Sequence, residues 1–431
     1  MQLIKNTELL KNTINWLFYL LPLSIILGNL IVNLNIVLFI LFSIIFIIKN
    51  QIELKFDNSI LLFLIFSVGL IISSFVNEQS LVKSLSYLRF IIFFYLGYVL
   101  GKEIFNIKKI FLIFSIILSI LCLDLILQHV MNYNILGQKN STNGATSFFF
   151  DERVAGSFVQ NFGFFLVFMI FKLLKKKNII NLFIKGFLTS LISIALLVTF
   201  QRMPMVIWCT FLIFYGIIYY KTKLLSILIS FLFLALFIFS NDWAKEKTTN
   251  SYGAFIDNVK VVFKQSYETY NINLDKNKLM KLKSDKKEVL QFMNNSGHGN
   301  LYGNALAIWK ENKLFGIGYK NFYAKCIEKE FIKCSTHPHN YYLDILLSTG
   351  VVGLIIIFFF LISIFIRIVL LLKTTIPENL DISFILILNF LMNFFPLKSS
   401  GSFFTTANST YTILILILLL SLMSEIKKVK F

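Results

Sequence analysis

Charge is scarce in this chain, and acid scarcer than base. Its 431 residues carry 22 aspartates and glutamates against 41 lysines and arginines, and the four charged types together make up 15%. A soluble chain of this length would carry roughly 25%, so an ordinary soluble domain is excluded. Arginine is rarer still: only Arg89, Arg153, Arg202 and Arg367 are present. Histidine is equally sparse, at His129, His298, His337 and His339. Four cysteines are too few for a disulfide-dense scaffold. No nucleic-acid-binding motif accompanies the +19 charge, so that charge is read as a membrane-topology signal. No small-residue cleavage site follows the first apolar run, which is therefore expected to stay as a retained helix.

What is present is apolar length. Hydrophobic residues are 57% of the chain and the mean hydropathy is +0.76. Repeated runs of about 20 apolar residues imply helical membrane spans. The reading is an all-α polytopic membrane protein of about twelve transmembrane helices, drawn at 14–31, 34–48, 59–75, 84–101, 108–130, 158–172, 180–199, 204–220, 223–240, 341–366, 381–397 and 409–424. With the N-terminus inside, the short inner segments hold nineteen lysines and arginines and the short outer ones six. The positive-inside rule then puts both termini in the cytoplasm. Residues 1–240 form spans one to nine, with a smaller outer loop at 131–157. Residues 241–340 form a large outer loop of about 100 residues expected to contain short helices, and 341–431 hold spans ten to twelve and a cytoplasmic tail. Long loops translocate regardless of charge, so the sixteen lysines of 241–340 do not oppose this.

Cys122 and Cys209 fall within spans, whereas Cys326 and Cys334 lie in the large loop just before two histidines. An oxidising compartment would let the latter pair form a disulfide bracing the loop against the following span.

The rare polar residues carry the functional signal. His337 and His339 flank a proline at the mouth of the span that begins near Tyr341. They are read as a general base for a hydroxyl, as helix-start caps, or less readily as metal ligands, since no cysteine or carboxylate cluster completes a coordination set. Arg153 and Arg202 sit at the outer ends of spans. Each fits a snorkelling anchor or a phosphate-binding fork, and Arg153 also a local pair with Asp151 or Glu152. Arg89 is set slightly inside its span and faces the site or pairs with a buried acid. Asp124 is such an acid; it shares a helix face with Gln128, and with His129 is expected to point inward near the outer surface. Asp124 is read either as a structural partner of Arg89 or as a substrate contact. Among the glycines, Leu314-Phe-Gly-Ile-Gly318 is read as a turn after a short helix around Ala305 to Asn312, and Gly350 and Gly353 as close-packing positions. The stretch Pro396 to Phe403 is read as a broken helix or re-entrant turn.

Taken together, these stretches resemble the O-antigen ligase/polymerase family of bacterial membrane glycosyltransferases, and most of all its ligases. The pieces are Asp124-Leu-Ile-Leu-Gln128 running on to Asn134-Ile-Leu-Gly137, Arg153-Val-Ala-Gly-Ser-Phe158, Gln201-Arg-Met-Pro204, and Ala307-Ile-Trp309 through Gly318 with Asn321-Phe322. The most specific is Cys334-Ser-Thr-His-Pro-His-Asn-Tyr-Tyr-Leu343 through Gly353, with Phe395-Pro396 and Gly401-Ser-Phe-Phe404 in support. The resemblance runs over roughly 84–424. It implies an inner-membrane enzyme whose donor is a glycan on undecaprenyl diphosphate, presented at the periplasmic face and transferred without a metal or cofactor. The acceptor is a sugar hydroxyl of lipid A core for a ligase, or another lipid-linked glycan for a repeat-unit polymerase; beyond membrane lipids no other partner, and no nucleic acid, is implied. Carried over, Arg153 and Arg202 bind the diphosphate, with Arg89 a further candidate. His339 or its neighbour His337 activates the acceptor, and Asp124, Gln128 and Asn340 are supporting candidates. Two departures stand out. Ser348 occupies a position where many members have glutamate, and 301–303 lack an arginine that many members have, leaving His298 or Lys310 as substitutes. A multi-span transporter would also fit the hydropathy, but it would be expected to show internal repeats, and none is found.

Overall fold

Apolar segments in hydrocarbon have no water to satisfy their backbone N–H and C=O groups, and an α-helix satisfies them within the segment. The computed structural model describes residues 2–54, 57–78, 81–101, 103–141, 144–150, 152–176, 178–250, 253, 297–331, 333–374, 377–396, 398 and 401–428. Its helices are α1 (Gln2–Tyr19), α2 (Leu21–Leu27), α3 (Asn29–Lys49), α4 (Asn58–Val76), α5 (Leu81–Leu85), α6 (Leu88–Gly101), α7 (Ile107–Met131), α8 (Ala155–Leu173), α9 (Ile179–Val198), α10 (Arg202–Ile218), α11 (Leu224–Ser240), α12 (Asp242–Asn250), α13 (Gly297–Glu311), α14 (Phe322–Glu328), α15 (Tyr341–Thr374), α16 (Pro377–Asn393) and α17 (Thr406–Lys428). Among the described residues β pairing is confined to the isolated bridges Tyr133–Lys139 and Ser141–Gly144. Among the described residues eight helices are long and apolar enough to cross a membrane, or ten if each of two bent pairs is one span. Arg202–Ile218 and Leu380–Asn393 are apolar but shorter. Helix therefore occupies every expected span, while the spans that pass on length and composition number eight to ten. Of the large loop, 254–296 lie outside the described residues, as does Asp151.

Three expected spans differ from the helices observed. The first, 14–31, is two helices bent by 51°, with Pro22 in the first turn of α2. Proline is at home there because its missing N–H has no partner in the first turn anyway. Gly28 at φ 104° then turns the chain, so the next helix starts at Asn29 rather than near 34. The tenth is interrupted at Gly350, with φ 67° and ψ −165°. Gly350 meets the loop turn that carries Gly316, itself at φ 69°. A Cβ on Gly350 would lie 2.0 Å from the Leu314 carbonyl oxygen, and one on Gly316 would lie 2.2 Å from that of Leu347. Only glycine permits this approach. Across it, Ile317 N–H donates to Leu347 O at 2.7 Å and Val351 N–H to Lys313 O at 2.9 Å. Ser73 Oγ of α4 donates to Ser348 O at 2.7 Å and Asn77 Nδ2 to Gly316 O at 3.0 Å. Gly350, expected to aid helix packing, thus docks a loop turn into a helix break, and the unpaired carbonyls are satisfied there. The eleventh helix stops at Asn393, and α17 begins at Thr406.

The loop half after 297 has its own small core, in which Ile308, Ile317, Phe322 and Leu347 pack around Cys326. A disulfide joins Cys326 to Cys334, with Cα atoms 5.8 Å apart. In the main bundle α17 is the most enclosed span, 83% of its apolar window being buried. Large apolar side chains such as Leu30, Ile48 and Phe239 face outward. Where α4 begins, Arg367 Nη1 donates to Asp57 Oδ2 at 2.6 Å. At the same end Lys223 Nζ, 3.5 Å from the centroid of the Tyr219 ring, donates to Asp381 at 2.8 Å and to the Tyr215 hydroxyl at 2.7 Å.

Candidate functional site

At the other end of the bundle α3, α8, α10 and α17 begin, and first-turn or flanking residues of each line one cavity of about 1230 Å³. Helix starts carry unsatisfied N–H groups and the positive end of the helix dipole. At α3 and α10 the residue before the helix makes no side-chain cap bond to them. Apolar residues including Ile25, Phe158 and Phe162 form much of the remaining wall. Into this cavity reach Arg153, Arg202, Lys247, His298, His337 and His339. Glu152 is the one carboxylate among the described lining residues.

The arginines are brought together by Gln201. This residue precedes α10, yet its side chain serves α8: Oε1 accepts from Ser157 N–H at 2.9 Å and Ser157 Oγ at 3.1 Å. Its Nε2 donates to Arg153 O at 2.5 Å. Close backbone approach makes this possible, since a Cβ on Gly156 would lie 2.4 Å from Thr199 Oγ1. Arg153 and Arg202 are both exposed, and neither has an ion-pair partner among the described residues.

Three of the four histidines cluster. The His337 and His339 rings are 4.2 Å apart by centroid and those of His298 and His339 5.3 Å. His337 Nδ1 is 2.9 Å from Thr336 Oγ1, and its buried Nε2 has no hydrogen-bond partner among the described residues. His339 Nε2 lies 3.4 Å from Ser335 Oγ, and its backbone is left-handed, φ 58°. Burial, His339 and Lys320 push the His337 imidazole down to about 4. Burial and His298 lower that of His339, and burial and the Arg202 charge lower that of His298. All three are therefore neutral near pH 7 in the unliganded site and able to accept a proton. No group of three or more histidines, cysteines or carboxylates among the described residues could hold a metal ion.

The other candidates act around the cavity. Asp124 and Gln128 do share a buried face of α7, but they clasp the 131–157 loop. Asp124 accepts from Ile135 N–H at 2.8 Å and from Ser147 Oγ, while Gln128 Oε1 accepts from Thr146 N–H at 3.0 Å and Ser147 N–H at 2.7 Å. His129 turns away to stack on Trp243 at 4.3 Å. Arg89 does not pair with Asp124. Its guanidinium donates to Asn33 Oδ1 at 3.2 Å and to Ser86 O, and stacks over Phe90, outside the cavity. Asn340 caps α15, its Oδ1 accepting from Tyr342 N–H at 3.0 Å and Leu343 N–H at 3.1 Å. Its Nδ2 donates to Pro396 O at 2.9 Å. Buried Asp344 accepts from Ser402 Oγ and from Phe403 N–H at 3.1 Å, which holds the 401–404 turn beside the histidine mouth.

His298 enters the cavity from the first turn of α13, while Lys310 is exposed and lies outside it. In the sequence His298 was marked by the rarity of histidine and as a substitute for the arginine that 301–303 lack. Lys247 was one lysine among sixteen in its loop and was not marked out.

Residues 187–358 match the family model described as O-antigen ligase. The match runs from α9 into α15 and takes in Arg202, Lys247, His298, His337 and His339. No curated protein matches the chain.

Proposed function

For a chain that belongs to the O-antigen ligase/polymerase family, we propose an O-antigen ligase reaction in this cavity: transfer of a glycan from undecaprenyl diphosphate to a sugar hydroxyl of lipid A core. The observation that carries the reading is that one cavity, walled by helix starts, gathers Arg153 and Arg202 with His337 and His339. A diphosphate leaving group needs its developing charge stabilised more than it needs a proton, and fixed guanidinium groups and helix N-termini supply that. The apolar wall receives the first part of the lipid. His339 is the base. The acceptor oxygen attacks the anomeric carbon, its proton passes to the His339 imidazole, and the carbon–oxygen bond to the diphosphate breaks with its electron pair left on phosphate. One displacement inverts the anomeric centre. Left-handed backbone at His339 and its place between the other two rings favour it over His337, whose ring supports it.

In the same reading the chain crosses the inner membrane about twelve times, both termini are cytoplasmic, and residues 241–340 with the site are periplasmic. The nineteen-to-six bias of basic residues supports this orientation.

The test is a glycolipid gel on a deletion strain complemented with wild type or His339→Asn, asparagine being tolerant of the left-handed backbone at this position. Loss of long glycan from lipid A core, with polymer accumulating on undecaprenyl diphosphate, is the expected result. Core bearing one repeat unit would make the enzyme a polymerase on the same site. An unchanged ladder would overturn glycosyl transfer.

A further inference from the structure

We propose that Lys247 is a third cation of the diphosphate site, carried to it by α12; the inference rests on reading that cavity as a diphosphate site. α12 leaves α11 at a bend of 101°, so it crosses the end of the bundle instead of prolonging the span. Asn241 opens it, its Oδ1 accepting from Ala244 N–H at 2.9 Å, and Ala244 is buried. Trp243 fastens the helix to two elements, lying 4.3 Å from the His129 ring and 5.2 Å from the Phe200 ring. Lys247 is one turn further on and shares that face. Its Nζ lies 5.3 Å from the Phe200 ring centroid, and the residue is half-buried in the cavity wall with Arg153 and Arg202. Phe200, at φ 64°, belongs to the link that presents Arg202. One short stretch of backbone therefore sets both cations. No carboxylate pairs with Lys247 among the described residues.

Charge balance gives the lysine its task. A diphosphate diester is a dianion, and the departing lipid diphosphate gains further negative charge as the sugar–oxygen bond breaks. Two guanidinium groups offset by Glu152 leave one net positive charge against the dianion, and Lys247 raises it to two. An ammonium on a flexible stem suits a phosphate whose charge grows during the reaction.

The experiment measures binding of undecaprenyl diphosphate, and of inorganic pyrophosphate as headgroup probe, to the full chain in phosphatidylcholine nanodiscs. Lys247→Gln, Lys247→Arg and Arg202→Gln are compared at equal melting temperature. Lys247→Gln is expected to weaken both ligands about 10- to 100-fold, and Lys247→Arg to recover most of the loss. If Lys247→Gln binds like wild type while Arg202→Gln does not, this inference fails and the diphosphate reading stands. Wild-type binding by both glutamine variants would fell the reading and the inference together. A Lys247→Gln defect confined to nanodiscs containing phosphatidylglycerol would assign Lys247 to bulk anionic lipid and overturn the proposal.

Discussion

The two ends of this bundle treat positive charge in opposite ways. At the end where α4 begins, Arg367 is paired with Asp57, and Lys223 with Asp381 and the Tyr215 hydroxyl. At the end where α8 and α10 begin, Arg153 and Arg202 face an open cavity whose described lining residues include one carboxylate, Glu152. A cation matched by a carboxylate fastens helices together, whereas one with open space before it is free to meet a ligand. The difference lies in where the acids are.

His339→Asn should break the open end most severely, lowering single-turnover glycan transfer in proteoliposomes about 10²- to 10⁴-fold with an unchanged melting temperature. A smaller loss, about 10²- to 10³-fold, is expected for Arg202→Gln and for Arg153→Gln in the same assay, again without a change in melting. If either arginine variant melted early and kept its turnover, that arginine would be a fastener and the contrast would collapse. At the closed end the effects invert. Asp57→Asn keeps a side chain that can accept from Ser59 N–H at the start of α4 but removes the charge facing Arg367. It should cost about 1–3 kcal/mol in denaturant unfolding, with activity per folded molecule near wild type. The gentlest probe is pH. His339 and His337 accept protons only below the ordinary histidine value of 6.5, His337 near 4. With the neutral ring as the proposed working form, kcat/KM should stay flat from pH 8 to about 6.5 and decline only on further acidification. A decline beginning above pH 7 would mean that no lowered histidine is the base.

Much of the helical layout was legible in the chain, because a stretch of hydrocarbon-soluble side chains has one way to satisfy its backbone. The rare residues also pointed to what lines one cavity: Arg202 between two apolar runs, and the histidine mouth before Tyr341. Asp124 and Gln128 were rightly placed on one buried face of α7, yet their partners were not visible. Those partners are backbone N–H groups of a loop, which every residue but proline carries and which no pattern of side chains reports. The mating of Gly316 with Gly350 was hidden for a similar reason, since each glycine alone is compatible with a turn or with helix packing.

What the sequence determined by itself is that this chain is helical and bound to a membrane, and which residue types could serve a lipid-linked phosphate. Hydropathy and the scarcity of arginine and histidine are properties of the chain before it folds. Only the tertiary structure decided which cations are fasteners and which face the cavity, that His298 and Lys247 join the site, and that Arg89 stays outside it. Those outcomes depend on helix starts meeting at one end of the bundle and on backbone contacts between residues far apart in the chain. Distance in space, which sets both electrostatic and hydrogen-bond energies, is not written in local sequence.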